Sequence, residues 1–357
     1  MWYSFSDAQY AKQTPITAID IDSRVIAYGD GFFTTMAVVA GQINWLSYHL
    51  DRIDESVHAL QLNLTNADLE AANLDSVNLD SVNLESPNHT IRAYFNSQLD
   101  RIDESVHALQ LNLTNADLDA ANLDACNLAS PNHTIRAYFN SQLANFAKTL
   151  NHGMLKLIVC RKNQPIKGYG FCNCQFDAFI KLMPTDKPLA QQANQVIIQP
   201  AASAICLTQQ IACLPKPLVG LKLLNAQDKV MASHELWQHQ TQDAQMIDGL
   251  VQDVMGHWVE GTFCNVFYQL NHENVWYTPP INRSGVKGVM RQVLLAKFAK
   301  SDRAHEERYL ASEELANITS LFFCNAVRGI LPIQALILPD GHPKALDLTP
   351  IYAQKLT

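Results

Sequence analysis

The sequence predicts an α+β fold of two lobes, and three observations support this prediction. The chain has 357 residues with 48% apolar content, which is enough to bury one large core or two moderate ones. Strand-like and helix-like segments alternate in both halves. Residues 183–188 contain Pro184 and Pro188, which suits a connection between lobes. We therefore expect a small N-terminal α/β lobe at 1–183, a linker at 184–194 and a larger lobe at 195–357.

Strand signals dominate the small lobe. Aromatic and β-branched residues bounded by glycine turns predict strands at residues 2–5, 31–39, 43–46, 155–160 and 176–182. Ala40-Gly41-Gln42 is expected to turn the second of these into the third. From His49 the apolar spacing changes to that of a helix, with one face formed by Leu50, Ile53, Val57, Leu60 and Leu64.

The large lobe mixes both kinds of element. Its apolar patterns predict strands at residues 196–198, 258–259 and 265–268, and helices at residues 225–240 and 289–300.

A tandem duplication interrupts the small lobe. Residues 50–69 recur unchanged as residues 99–118, and residues 88–99 recur as residues 132–143. The near-identity of the copies, within residues 50–147, indicates a recent duplication rather than an ancient repeat fold. We expect the lobe to use roughly residues 50–64 of the first copy and 133–150 of the second, and to extrude the rest.

Each copy carries a leucine at every fifth position, over residues 64–86 and 113–130. This pattern resembles a pentapeptide repeat, whose central apolar residue points into a β-helical coil. Each run covers little more than one coil, whereas a solenoid needs about three stacked units to bury a core. A polar loop is therefore favoured over a working coil, and a non-catalytic pentapeptide-repeat interaction protein is the alternative from another functional class.

Charge and composition argue against several partners. The formal net charge is −8 and there is no Lys/Arg run, so a nucleic-acid backbone is not the expected partner. No stretch approaches the ~18 apolar residues of a membrane span, and no secretory leader is recognisable. We expect a soluble cytoplasmic protein without a membrane partner. The eight cysteines lack metal-ligand spacing, so we expect buried or free thiols and no metal site.

Four motifs follow one another in the second half of the chain, at residues 220–225, 258–267, 285–292 and 323–332. Together with residues 28–35 and 48–53, they resemble the fold-type IV pyridoxal-phosphate enzymes, which include branched-chain and D-amino-acid aminotransferases. The Lys-x-Leu-Asn and Gly-Val-x-Gly-Val-Met-Arg-Gln motifs most resemble the aminodeoxychorismate lyases of folate biosynthesis. The resemblance covers nearly the whole chain except about residues 65–131. It implies a β-barrel-like core in the large lobe, pyridoxal 5′-phosphate as cofactor, and a homodimer whose neighbouring subunit completes the site.

Lys222 is the candidate for the covalent link to the cofactor aldehyde. Its apolar neighbours should lower the pKa of the ammonium by desolvation and free the amine as a nucleophile. An isolated lysine is usually a solvated surface group, and Lys216 and Lys229 lie close by in the sequence. Neither of those two stands in the Gly-x-Lys-x-Leu-Asn motif, so the resemblance selects Lys222.

The resemblance assigns further cofactor contacts in the large lobe. Glu260 would face the pyridine nitrogen and keep the ring protonated, with Asn265 at the family's spacing; the alternative for Glu260 is a surface carboxylate. The backbone N–H groups of Val289 and Met290, at the start of a predicted helix, suit a phosphate dianion. Ala326 belongs to the same cofactor site.

Arg52 would add a charge-assisted contact to the phosphate. An ordinary helix-surface arginine is the alternative, and its duplicate Arg101 is a competitor for the same role. Only Arg52 directly follows the predicted strand end at residues 45–49 that should place it over the cofactor, so Arg52 is preferred.

Three positions bear on the reaction. Thr35 could protonate the leaving group of a lyase, although threonine is often only a good strand former. Arg328 could bind a substrate carboxylate, and Tyr28 is expected to contact the substrate. The hypothesis is a lyase that converts 4-amino-4-deoxychorismate to 4-aminobenzoate and pyruvate. The alternative is an aminotransferase acting on branched-chain or D-amino acids, which would share Lys222 and Glu260.

Overall fold

The computed structural model describes residues 2–4, 16, 18–63, 132–166, 168–185, 189, 192–301 and 303–353. The leucine runs at 64–86 and 113–130, Arg101, and most of the duplicated segment lie outside the described residues. The described chain forms two sheets, one in each half.

The small lobe is built on an antiparallel five-stranded sheet in the spatial order β1-β5-β4-β2-β3. Its strands are β1 (Trp2–Ser4), β2 (Gly31–Val39), β3 (Gln42–Ile43), β4 (Gly153–Arg161) and β5 (Phe176–Pro184). Buried and half-buried residues alternate along much of β4 and β5, because successive side chains of a strand point to opposite faces. The third predicted strand was too long: Trp45 has a left-handed backbone with a φ of 58°, and Leu46 begins a helix.

Ala40 and Gly41 form the predicted turn between β2 and β3. Their φ angles are 51° and 74°, and Val39 pairs with Gln42 across the turn. Two central residues with positive φ make a type I′ turn, whose twist matches that of the paired strands.

Helices cover one face of this sheet. After the short α1 (Arg24–Tyr28), α2 (Leu46–Ala59) and α3 (Asn132–Leu150) share an apolar core with the strands. The first copy of the duplicated sequence supplies α2 from Leu50 onward, and the second copy supplies α3 as far as Leu143. Arg136 of α3 lies 2.9 Å from the carboxylate of Asp51 and 2.5 Å from that of Asp54, so ion pairs join the two helices.

The large lobe contains a closed barrel. Its strands are β6 (Ala202–Ile211), β7 (Met246–Asp253), β8 (Trp258–Gly261), β9 (Asn265–Leu270), β10 (Trp276–Thr278), β11 (His305–Glu307), β12 (Ile318–Asn325), β13 (Gly329–Ile337) and β14 (Pro343–Ala345). Strands β6, β7, β8, β9, β12 and β13 pair in that order, and β13 pairs with β6 in parallel to close the ring. Every strand of the ring contributes to one apolar cluster. The predicted barrel-like core is therefore confirmed.

Helices pack outside the barrel. They are α4 (Gln227–Gln240), α5 (Val289–Lys300) and α6 (Thr349–Ala353), with a 3₁₀ turn at Ser312–Asn317. Both long predicted helices are confirmed. Residues 196–198, predicted as a strand, make only a single bridge between Ile198 and Ile330. Ile330 donates to Ile197 and Gln199 donates to Ile330, so the next donor of this pairing would be Pro332, which has no N–H.

No helix in the described parts of the chain is long and apolar enough to cross a membrane. Within the same parts, no group of His, Cys, Asp or Glu side chains is arranged to hold a metal ion. Six of the described cysteines are free thiols, but Cys174 is disulfide-bonded, which corrects the expectation of thiols throughout.

Asp30 joins two buried arginines at the entrance to β2. Its Oδ2 accepts hydrogen bonds from Nε of Arg24 at 2.9 Å and from Nε of Arg161 at 3.1 Å. Removing one partner of a buried ion pair costs about 3–5 kcal/mol, because the remaining charge is left uncompensated. We expect Asp30→Asn to lower the free energy of unfolding by about 3 kcal/mol, measured by urea denaturation. Glu306→Ala, which removes an exposed carboxylate on β11, is the control and should stay within about 0.5 kcal/mol. Equal losses in the two variants would contradict this account.

Candidate active site

A cavity of about 930 Å³ lies between the small sheet and the barrel. Its walls carry five cationic residues, Arg52, Lys156, Lys222, Lys229 and Arg328, and two carboxylates, Asp228 and Glu260. The chain as a whole is acidic, with a net charge of −8. The positive charge is therefore local to the cavity, as expected for a site that takes an anionic ligand.

Lys222 lies on a short segment that pairs with both lobes. Its carbonyl accepts the N–H of Phe33 at 3.0 Å, and Leu224 donates to the carbonyl of Gly31 at 3.1 Å. On the other side, Gly220 forms a parallel bridge with Val286. Gly220 has a φ of 84°, a conformation that glycine adopts without steric cost. The backbone of Lys222 is thereby held at the boundary between the lobes.

The amine of Lys222 lies 4.9 Å from the ring centroid of Phe33. Burial, and then repulsion by Arg52 and Lys229, lower the pKa of Lys222 from 10.5 to about 8. The neutral amine, which is the nucleophilic form, is thus accessible near neutral pH.

Glu260 and Asn265 face each other across the β8–β9 corner and hold the loop that leads to α5. Oε2 of Glu260 accepts the N–H of Val286 at 2.8 Å, and Nδ2 of Asn265 donates to the carbonyl of the same residue at 2.9 Å. The second oxygen of Glu260, Oε1, pairs with the ammonium of Lys229. Glu260 is therefore a buried, ion-paired carboxylate and not a surface group.

The N-terminus of α5 opens on the cavity. Gly288 precedes the helix, and a Cβ at this position would overlap Oδ1 of Asn265, so a larger residue would displace that side chain. Val289 lines the cavity. The side chain of Met290 is buried in the core, so only the backbone N–H of this residue is a candidate for contact with a ligand. The first N–H groups of a helix have no partner within the helix and favour an anion.

Arg52 reaches this helix terminus from α2. Nη2 donates to the carbonyl of Lys287 at 2.7 Å and Nη1 to Oγ1 of Thr34 at 3.4 Å. Its buried Nε has no hydrogen-bond partner. Burial lowers the pKa of Arg52 to about 10, so the guanidinium stays charged at neutral pH. A buried guanidinium with an unused donor beside a helix N-terminus is a site for an anionic group.

His49 supports Arg52 and was missed from the sequence. Oγ1 of Thr34 lies 2.8 Å from Nδ1 of His49. The same hydroxyl accepts a hydrogen bond from Nη1 of Arg52, so it links the imidazole to the guanidinium. Burial, and then the charge of Arg52, hold the pKa of His49 well below its usual range, so the imidazole is neutral. The helical spacing of apolar residues predicted that a helix begins near His49, but it did not indicate that Thr34 is the hydrogen-bond partner of His49.

Asp248 shapes the β8–β9 corner and was also missed. Its Oδ1 accepts the N–H of Thr262 at 2.8 Å and the hydroxyl of the same residue at 2.6 Å. A Cβ on Gly261 would lie 2.5 Å from Oδ2 of Asp248, so the motif glycine is required here. Burial raises the pKa of Asp248 to about 6.

Thr35 and Lys156 stand side by side on the small-lobe wall. They are paired residues of β2 and β4, and both line the cavity. The ammonium of Lys156 lies 4.8 Å from the ring centroid of Phe33, the ring that Lys222 also contacts. Burial, and then Lys181, lower the pKa of Lys156. The sequence could have indicated Lys156, because it is a lysine among the apolar residues of a predicted strand.

The loop after β12 carries the remaining predicted residues. Oδ1 of Asn325 accepts the N–H groups of Val327 at 3.0 Å and Arg328 at 2.8 Å, which shapes the turn. Ala326 and Arg328 both line the cavity. The guanidinium of Arg328 lies 4.9 Å from the ring centroid of Phe263.

The structure does not bring Tyr28 to the cavity. Its ring lies 5.1 Å from the ring of Tyr169 and 5.1 Å from the guanidinium of Arg24. Lys216, a sequence neighbour of the motif, is exposed and does not line the cavity either.

The residues present fit pyridoxal phosphate. The close approach of Gly288 to Asn265 and the unused Nε of Arg52 form a cradle for a phosphate. Glu260 offers a carboxylate to a ring nitrogen, and Lys222 offers an amine of lowered pKa to an aldehyde.

The chain also resembles known proteins in sequence. The sequence pattern of the family Amino-transferase class IV matches residues 31–336. The aminodeoxychorismate lyase of Vibrio harveyi is 26% identical over 124 residues, which cover 35% of this chain and 43% of that protein. The sequence match therefore spans less than half the length of this relative.

Solved structures resemble the chain over its whole length. The 4-amino-4-deoxychorismate lyase of Pseudomonas aeruginosa has a TM-score of 0.64 and 24% identity, covering 100% of this chain and 98% of that chain. An aminotransferase of Brucella abortus bound to the cofactor PLP has a TM-score of 0.60 and 14% identity, covering 99% and 97%. These likenesses show the fold. Since the family pattern includes β2, the Lys222 segment, the β8–β9 corner and the start of α5, the chain belongs to the class IV aminotransferases.

Proposed function

We propose that this chain is a pyridoxal-phosphate-dependent lyase that converts 4-amino-4-deoxychorismate to 4-aminobenzoate and pyruvate, a reaction of folate biosynthesis. The observation that carries the proposal is that Lys156 and Lys222 both lie beside the ring of Phe33, with Thr35 paired to Lys156 on the same cavity wall. This arrangement combines a hydroxyl proton donor, a cation and an amine of lowered pKa on one side of the cavity. The likeness to the lyases of Vibrio harveyi and Pseudomonas aeruginosa supports the same choice.

Residues from both lobes would hold the cofactor. Lys222 would bind its aldehyde carbon, and Glu260 its ring nitrogen. The phosphate would lie between the guanidinium of Arg52 and the first N–H groups of α5, at Val289 and Met290. Asn265 would fix the loop before α5, and Ala326 would pack beside the cofactor. Bound pyridoxal phosphate supplies an electron-accepting ring that stabilises negative charge at the reacting carbon.

Two cations suit the two carboxylates of aminodeoxychorismate. Lys156 lies on the small-lobe wall beside Thr35, and Arg328 lies on the loop after β12. Two separate cations would orient a dicarboxylate so that its reacting carbons lie between Lys222 and Thr35.

Lys222 and Thr35 would move the protons. Nζ of Lys222 takes the proton of C4 when the C4–H bond breaks. Oγ1 of Thr35 donates a proton to the ether oxygen when the C3–O bond breaks and the enolpyruvyl group leaves. The ring becomes aromatic as 4-aminobenzoate, and the enol becomes pyruvate.

An aminotransferase is the second candidate, because the family and the Brucella abortus structure carry that activity in their names. The two functions differ in their need for a keto-acid acceptor. The purified protein with pyridoxal phosphate should release pyruvate and 4-aminobenzoate from aminodeoxychorismate with no keto acid present, measured by a coupled pyruvate assay. Amino-group transfer to a keto acid, with no pyruvate formed in its absence, would exclude the lyase.

Lys222→Ala should remove the absorbance of lysine-linked cofactor and lower turnover by at least about 1,000-fold, because nucleophile and proton acceptor are lost together. The exposed Lys216→Ala is the matched control and should keep both signals. A borohydride-reducible adduct in Lys222→Ala would show that another lysine forms the link.

The rate at which the apoprotein captures pyridoxal phosphate should rise with pH, with a midpoint near 8. The sign follows from the pKa of about 8 for Lys222, because the protonated amine below that pH cannot attack the aldehyde. Stopped-flow absorbance over pH 6 to 10 would check this, since an ordinary lysine amine has its midpoint near 10.4. A midpoint near that value would mean that the amine is not buried as described.

Arg52→Ala should weaken cofactor affinity by about 10- to 100-fold, because hydrogen bonds to a charged group contribute about 1.5–3 kcal/mol. Arg101→Ala, the same change in the duplicate copy, should leave the dissociation constant within about twofold of that of the unaltered protein. Fluorescence titration of both variants would decide this. The opposite ranking would mean that the second copy supplies the phosphate ligand.

A further inference from the structure

Both carboxylate oxygens of Glu260 have a hydrogen-bond partner in this structure, and Lys229 binds one of them. Oε2 accepts the N–H of Val286 at 2.8 Å, while Oε1 pairs with the ammonium of Lys229. The side chain of Glu260 is 4% exposed and that of Lys229 is 26% exposed. Oε1 is the oxygen of Glu260 without a backbone partner, so a donor that entered the cavity to bind it would meet the ammonium of Lys229 there.

Within the described chain, Glu260 is the only hydrogen-bond acceptor found for the ammonium of Lys229. The other cavity carboxylate, Asp228, accepts backbone N–H groups from Ala212 and from Lys229 itself, each at 2.8 Å. Lys229 lies in the first turn of α4, so its backbone is fixed while its side chain lines the cavity. The ammonium can therefore leave Oε1 without disturbing the fold, whereas Glu260 cannot turn away because Val286 holds it.

Oε1 can accept two hydrogen bonds, but the ammonium of Lys229 and a protonated pyridine nitrogen would both bring a positive charge to it. A pyridine N–H would therefore have to share Oε1 with the ammonium of Lys229 or displace it. A cation retained beside Glu260 would also disfavour a proton on the ring nitrogen, since like charges repel. The ammonium of Lys229 and a ring N–H would therefore compete for Oε1 of Glu260.

We propose that Lys229 binds Oε1 of Glu260 in competition with the cofactor's pyridine nitrogen. This inference rests on the proposed function, that the cavity binds pyridoxal phosphate. It assigns to Lys229 a role that lowers cofactor affinity specifically at the ring-nitrogen end.

The repulsion between Lys229 and Lys222 supports the same geometry. Lys229 contributes, after burial and Arg52, to the lowered pKa of Lys222. Removing the charge of Lys229 should therefore act at both ends of the ring, whereas the phosphate cradle at Arg52 and Gly288 should be little affected.

The test compares two ligands that differ only at the ring nitrogen. Pyridoxal phosphate and its 1-deaza analogue, in which C–H replaces the nitrogen, are titrated into apoprotein at one pH and ionic strength, and dissociation constants are measured by fluorescence. In Lys229→Met, which removes the charge, affinity for pyridoxal phosphate relative to the analogue should rise about tenfold. In Lys229→Arg, which keeps the charge, the ratio should match that of the unaltered protein.

Binding of inorganic phosphate tests whether the phosphate cradle at Arg52 and Gly288 is intact. Its affinity in Lys229→Met should stay within about twofold, and a larger loss would show a distorted cavity and overturn the proposal. An unchanged or lower ligand ratio in Lys229→Met would overturn it, as would an equal rise in Lys229→Arg. If the unaltered protein binds neither pyridoxal phosphate nor the analogue, the proposed function fails and this inference fails with it.

Discussion

The site depends on one constraint, the pairing of the Lys222 segment with both lobes. Hydrogen bonds to Phe33 and Gly31 tie it to the edge of the small sheet, and the bridge between Gly220 and Val286 ties it to the loop before α5. A shift of either lobe would move the amine relative to the phosphate cradle. Catalytic groups must be held close to the productive geometry to be effective, and backbone pairing provides a stiffness that a mobile loop lacks.

The charge of the cavity wall is opposite in sign to the net charge of the protein. The protein is acidic, yet the cavity wall has more cations than carboxylates. Distant surface carboxylates do not cancel this local charge, because salt screens charges beyond about 8–10 Å while buried pairs are screened much less. Burial has opposite consequences for two neighbouring cations. It helps to bring the pKa of Lys222 to about 8, where the neutral amine is populated near neutral pH, but that of Arg52 only to about 10, where the guanidinium keeps its charge.

The duplication is compatible with this site because the small lobe takes one helix from each copy. Helix α2 carries Arg52 to the cavity, and α3 packs beside it through the ion pairs of Arg136. The flanking strands, β3 and β4, occur once each in the sequence. The entropic cost of closing a long connection rises only with the logarithm of its length, by about 0.6 kcal/mol per doubling, so a large insertion between the two helices is tolerable.

The sequence by itself determined what depends on local pattern. Strand-forming residues and glycine turns predicted β2 and β4, and apolar patterns predicted α4 and α5. The resemblance of the motifs to a known family predicted that Lys222, Glu260 and Asn265 share one pocket. One wrong prediction was also local. The strand predicted at residues 43–46 ends at Ile43, because Trp45 has a left-handed backbone and α2 begins at Leu46.

Only the tertiary structure decided which residues from distant parts of the chain share the cavity. Strand register brought Lys156 beside Thr35, packing of α4 on the barrel brought Lys229 to Glu260, and Tyr28 was turned toward Tyr169 instead. No local pattern contains this information, because each contact joins residues far apart in sequence. Their distances are set by how the sheet, barrel and helices fill space together.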